Sequence, residues 1–143
     1  MSGTIEFKQR SHLDPALTDP ATRTLNAARL CGRWVNTDSE TSGITEIVIA
    51  QRRDEFIVSA SAAGSDGPVA WPETMAEVLA NLEEEAGQRA IALAVRFEFG
   101  FMTAETYLRV NKGVLVIALS NTFNDHSGRS NYVNREFFYR QGV

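Results

Sequence analysis

Between Ala90 and Phe99 an apolar side chain falls at every second position. Ile91, Leu93, Val95, Phe97 and Phe99 share one face, and Ala90, Ala92, Ala94, Arg96 and Glu98 share the other. A period of two is that of a half-buried strand, whereas a helix repeats every 3.6 residues. The same texture recurs in short runs at Ile44–Ala50, Glu55–Ala62, Thr103–Asn111, Val114–Phe123 and Asn131–Arg140. Turn chemistry separates them: Gln51–Asp54, Gly64–Pro68, Gly100, Lys112-Gly113 and Asn124–Ser130. Lys112-Gly113 suits a two-residue hairpin, because glycine supplies a positive φ. Short strands joined by tight turns predict an all-β chain, a barrel or a sandwich.

Two segments depart from this pattern. Asp19-Pro20 reads as an N-cap followed by proline at the first helical position. A short helix over Ala21–Leu30 would bury Leu25, Ala28 and Leu30, and Gly32 would end it. Residues 1–29 are therefore read as an N-terminal extension and 30–143 as the barrel domain. Between Trp71 and Gln88 two periods compete. Met75, Val78, Leu79 and Leu82 stand at helical spacing, and Glu83-Glu84-Glu85 favours a helix. An eight-stranded barrel instead needs a strand near Ala76–Leu82, and closure, which removes sheet edges, tips the balance to the strand.

Composition narrows the function classes. The chain has 143 residues, enough for one core, and no internal repeat. A net charge of -4 disfavours nucleic acid as a partner, since phosphate binding depends on Lys and Arg density. The single cysteine, Cys31, rules out an intrachain disulfide, and no Cys/His spacing fits a metal, so no metal or cofactor is expected. No apolar run approaches the ~20 residues of a membrane helix, and Met1–Lys8 lacks the apolar core of a secretion signal. A cytoplasmic location without membrane contact is the expectation.

Leu30-Cys31-Gly32-Arg33-Trp34-Val35-Asn36 carries a Gly-x-Trp ahead of short strands, and the chain ends on Glu136-Phe137-Phe138-Tyr139-Arg140. This arrangement resembles the calycins, the lipocalin and avidin barrels, which implies an all-β fold, an antiparallel up-and-down β-barrel of about eight strands with a short N-terminal helix. The resemblance spans roughly Leu30 to Arg140. It implies that Trp34 lies on the first strand and plugs the barrel base, with a basic residue, Arg135 or Arg140, covering it. Gly-x-Trp-x-Asn is similar to the first strand of avidins, whose asparagine contacts the ureido group of biotin, and Asn36 matches it. Glu40 stands where that family has a serine, and Val58–Ser61 lacks its tyrosine, so biotin itself is not implied.

Other candidates come from the strands. A two-residue hairpin at Lys112-Gly113 pairs Asn111 with Val114, so Leu108 and Val110 share a face with Leu115, Ile117, Leu119 and Asn121. That face is the more apolar and is read as the interior, with Asn121 a polar group on it. Glu105, Tyr107 and Arg109 share the other face; turned inward they would supply an acid or base, a phenol and a cation. Phe97, Phe99 and Phe101 form either an aromatic ligand wall or core filling. Trp71 reads as a core or edge residue rather than a pocket mouth. Asp125-His126-Ser127 reads as a solvated turn rather than a catalytic triad.

These readings lead to a protein that binds a small, largely apolar molecule in its barrel. Asn36, Phe97, Phe99, Leu119, Asn121 and Tyr132 would contact the ligand. The alternative is a cofactor-free isomerase or cyclase acting on a biosynthetic intermediate, with Glu98, Glu105, Tyr107 or Arg109 as its acid/base groups. A filled structural or interaction barrel, a homodimer through its outward aromatics, is the third reading.

Overall fold

The computed structural model describes residues 27–80 and 90–142. Nine strands follow one 3-10 turn: β1 (Gly32–Asn36), β2 (Ile44–Arg52), β3 (Glu55–Ala62), β4 (Val69–Ala70), β5 (Thr74–Ala80), β6 (Ala90–Glu98), β7 (Met102–Asn111), β8 (Val114–Phe123) and β9 (Tyr132–Gln141). Every pairing is antiparallel. The sheet runs β2-β1-β9-β8-β7-β6-β5-β3-β4, and β2 also pairs with β3. Eight strands thus close an up-and-down barrel. β4 is an appendage, paired to β3 through Ser61↔Ala70 and Ala62↔Val69.

Closure decides the ambiguous segment. Thr74–Ala80 is a strand, and its pairing with both β3 and β6 completes the ring. Its helical spacing is overridden because a helix there would leave two unpaired edges. Leu82 and the Glu83–Glu85 run lie outside the described residues, as do Asp19-Pro20 and most of the expected N-terminal helix. Its last residues, Ala28–Leu30, form a 3-10 turn and bury Leu30. Gly32, expected to stop the helix, instead begins β1 with φ 139.

The inward face is the apolar one. Trp34, Ile47, Ile49, Val58, Leu93, Phe97, Leu108, Leu115, Ile117 and Phe138 are all at most 2% exposed. In β2, Ile44, Ile47 and Ile49 all point inward although their spacing is not uniform. A register shift between Ile44 and Glu46 re-aims the strand and brings all three onto one face. At the β7–β8 hairpin Asn111 faces Val114, so Leu108 and Ile117 sit opposite each other inside the barrel.

The connections define two ends. The rim, where β1, β3, β6 and β8 finish, carries the loops at 37–43, 63–73, 99–101 and 124–131. The base carries the 3-10 turn, the Arg53-Asp54 turn and Lys112-Gly113. Trp34 plugs the base, and its indole Nε1 donates to Leu30 O at 2.9 Å. The Arg140 guanidinium lies 4.3 Å over the indole ring and donates to the carbonyls of Cys31 and Arg29. Arg140 therefore makes the expected cover, whereas Arg135 points outward from β9. Gly32 lets this cover pass, because a Cβ there would stand 2.7 Å from Arg140 Nη1. Burial pushes the Cys31 thiol pKa up, and Arg140 opposes this more weakly.

Candidate functional site

The barrel interior has two chemically different walls. Strands β2, β3 and β6 present Ile47, Ile49, Phe56, Val58, Ala60, Leu93, Val95 and Phe97, an apolar surface against which Ala76 and Val78 of β5 pack. Strands β7, β8, β9 and β1 interleave polar side chains among apolar ones: Thr106, Asn121, Asn134, Glu136 and Asn36. The period-two rule puts all five on the inward face, since they share it with Leu108, Leu119, Phe138 and Trp34.

Thr106 is 1% exposed, and among the described residues its Oγ1 has no hydrogen-bond partner. Its cross-strand neighbours, Val95 on β6 and Leu119 on β8, are both apolar. Asn121, 3% exposed, reaches only Asn134 Oδ1, at 3.5 Å, the outer limit of a hydrogen bond. These two groups retain hydrogen-bonding capacity inside the barrel.

Asn36 is differently placed. It is 6% exposed, and its amide is spent on its own loop. Nδ2 donates to Ile44 O at 2.8 Å and to Glu136 Oε1 at 3.2 Å, and Oδ1 accepts from Asp38 N at 2.8 Å. Thr41 Oγ1 also donates to Glu136 Oε1, at 3.0 Å. Asn36 thus ties down the β1–β2 loop.

The rim is aromatic. Trp71, just past β4, donates its backbone N–H to Ala60 O at 2.8 Å. Its ring meets Phe97 at 5.1 Å and Phe99 at 4.9 Å, both edge-on. It is half-buried and packs against the core. Phe99 leads to Phe101, 47% exposed, with ring centroids 6.2 Å apart. On the facing loop Arg129 lies over Phe123 at 4.2 Å and Phe101 at 5.6 Å, and it is held by Asp125 at 2.6 Å. Hydrogen bonding from Ser127, then Arg129, holds the Asp125 carboxyl below its usual range. Asp125 and Ser127 serve this loop, and His126 is exposed.

Of the residues expected to contact a ligand, Phe97, Leu119, Asn121 and Asn36 face the interior, and Phe99 packs against Trp71 at the rim. Tyr132 is 50% exposed at the rim, its ring 6.1 Å from Phe123. The acid/base candidates Glu98, Glu105, Tyr107 and Arg109 all lie on the outer surface. Glu98 pairs with Arg96 at 2.8 Å, and Glu105 approaches the same Arg96 at 3.9 Å. Tyr107 and Arg109 border a shallow outer groove of about 380 Å3 with Val116, Ala118, Arg135 and Phe137. A neighbouring groove of about 710 Å3 continues it past Ser120 and Val133. No hydrogen bond links these candidates into a proton-transfer set, among the described residues.

Sequence reasoning missed Thr106, Asn134 and Glu136. Thr106 was legible by period, since it shares the face of Leu108. Glu136 shares the face of Phe138, but its flanking Arg and Phe residues mask that alternation. Among the described residues no group of acidic, His or Cys side chains is placed to hold a metal, and no helix is long and apolar enough to cross a membrane. Compared with protein families, curated proteins and solved structures, the chain matches none.

Proposed function

We propose that this protein is a calycin-like barrel that binds a small, largely apolar molecule carrying a hydrogen-bonding group. The observation that carries this reading is the buried, unpartnered Thr106 hydroxyl on the interior wall. A buried polar group left without a partner costs about 1–3 kcal/mol. A ligand hydroxyl or carbonyl against Thr106 and Asn121 would remove that cost. The facing apolar wall would bury the rest of the molecule, and the aromatic rim offers it a path in. The Trp34–Arg140 base supports the calycin likeness.

The test is a titration with the neutral fluorophore N-phenyl-1-naphthylamine, followed by displacement with long-chain alcohols and ketones. Saturable binding of one probe per chain is expected. Thr106→Val should weaken the alcohols about ten-fold, the worth of one hydrogen bond. Ala118→Glu, in the outer groove, should leave binding unchanged. Absence of saturable binding, or sensitivity to Ala118→Glu alone, would overturn the reading.

A further inference from the structure

We propose that Glu136 makes the barrel selective for an amphiphile bearing a protonated amine; this rests on the interior-binding reading above. Glu136 sits on β9 opposite Ile117 of β8, on the inward face between Asn134 and Phe138. Among the described residues it is the one carboxylate on that face, and no cation pairs with it. Arg140, the other charged residue on the inward side, is committed at the base to Trp34 and two carbonyls.

The two carboxylate oxygens are used unequally. Oε1 accepts from Asn36 Nδ2 and Thr41 Oγ1, which anchors the β1–β2 loop. Oε2 receives no hydrogen bond among the described residues. A glutamine would anchor that loop equally well, since its amide oxygen accepts the same two bonds. Neither the negative charge nor Oε2 is needed for anchoring. Gly43 leaves the group room, because a Cβ there would stand 3.2 and 3.3 Å from the two oxygens.

An ammonium group has three donors and no acceptor. Glu136 Oε2 would take one, and Asn134 Oδ1, one inward position along the same strand, would take another. A charge-assisted bond inside a partly desolvated barrel is stronger than one in water. The aliphatic part of the ligand would lie against the apolar wall of β2, β3, β5 and β6. A carboxylate-bearing ligand would meet like charge and be rejected.

Displacement of N-phenyl-1-naphthylamine by decylamine, decanol and decanoate at neutral pH tests the assignment. Decylamine should displace at a concentration at least ten-fold below that of decanol, with decanoate weakest. Glu136→Gln should bring decylamine to the level of decanol, whereas Ala118→Glu, in the outer groove, should leave the amine preference unchanged. Glu136→Asp, which keeps the charge, should retain part of the preference. Equal displacement by amine and alcohol in the native protein would overturn the assignment and leave interior binding intact. So would an amine preference that survives Glu136→Gln. A probe that fails to bind would sink both readings together.

Discussion

At the scale of single residues, stability and the proposed binding role pull in different directions at Thr106. Its hydroxyl is buried among Val95, Leu119 and Leu108 with nothing to bond. Valine has nearly the same shape and no polar atom. Thr106→Val should therefore raise the unfolding free energy of the empty protein by about 1–2 kcal/mol while weakening an alcohol ligand. Urea denaturation reads the first effect, and a loss of stability would show that the hydroxyl already has a partner. Trp34 carries no such conflict. It is 1% exposed, bonded to Leu30 O and covered by Arg140. Trp34→Ala should cost about 3–5 kcal/mol. Arg140→Lys keeps the charge but loses the fork that reaches two carbonyls, and should cost about 1 kcal/mol in the same assay.

Among the elements, the β7–β8 hairpin shows how a turn sets which face looks inward. Both central residues have positive φ, Lys112 at 53 and Gly113 at 81. That is the primed turn whose twist matches the strands it joins, and it places Asn111 opposite Val114. The register then puts Thr106 and Asn121 inside and Tyr107 and Arg109 outside. Lysine is strained at its position. Lys112→Asn should stabilise the protein by a few tenths of a kcal/mol, roughly 0.5, because asparagine tolerates the left-handed region. Gly113→Ala should destabilise it by about 1 kcal/mol or more. Opposite signs for the two substitutions in one chemical denaturation series are the diagnostic. The register shift in β2 acts similarly, re-aiming one strand so that three isoleucines reach the core.

For the whole molecule, closure is the controlling event. β1 and β9 pair through Arg33↔Gln141, Trp34↔Arg140, Val35↔Tyr139 and Asn36↔Phe138, joining the two ends of the described chain. β9 also pairs along β8 and contributes Phe138, Glu136 and Arg140. A chain truncated after Ser130 would expose the edges of β1 and β8, uncover Trp34 and open the polar wall of the barrel. It should show no cooperative thermal transition and no near-ultraviolet circular dichroism band from buried tryptophan. A truncated protein that melts cooperatively would mean the remaining strands form a stable open sheet.

The local alternation in Ala90–Phe99, Thr103–Asn111 and Val114–Phe123 was enough to determine strands, and Gly-Pro-rich punctuation was enough to delimit them. That legibility has a simple cause: strand periodicity and turn chemistry are properties of neighbouring residues. The base was legible through the calycin resemblance, because a Gly-x-Trp early in the sequence and an arginine near its end are brought together when the strands close. What only the tertiary structure decided is non-local. Thr74–Ala80 is a strand because β3 and β6 flank it, against its own helical spacing. Glu136 faces the interior because β9 pairs with both β8 and β1. Thr106 lacks a partner because Val95 and Leu119 happen to stand beside it, a fact of register that no single segment contains.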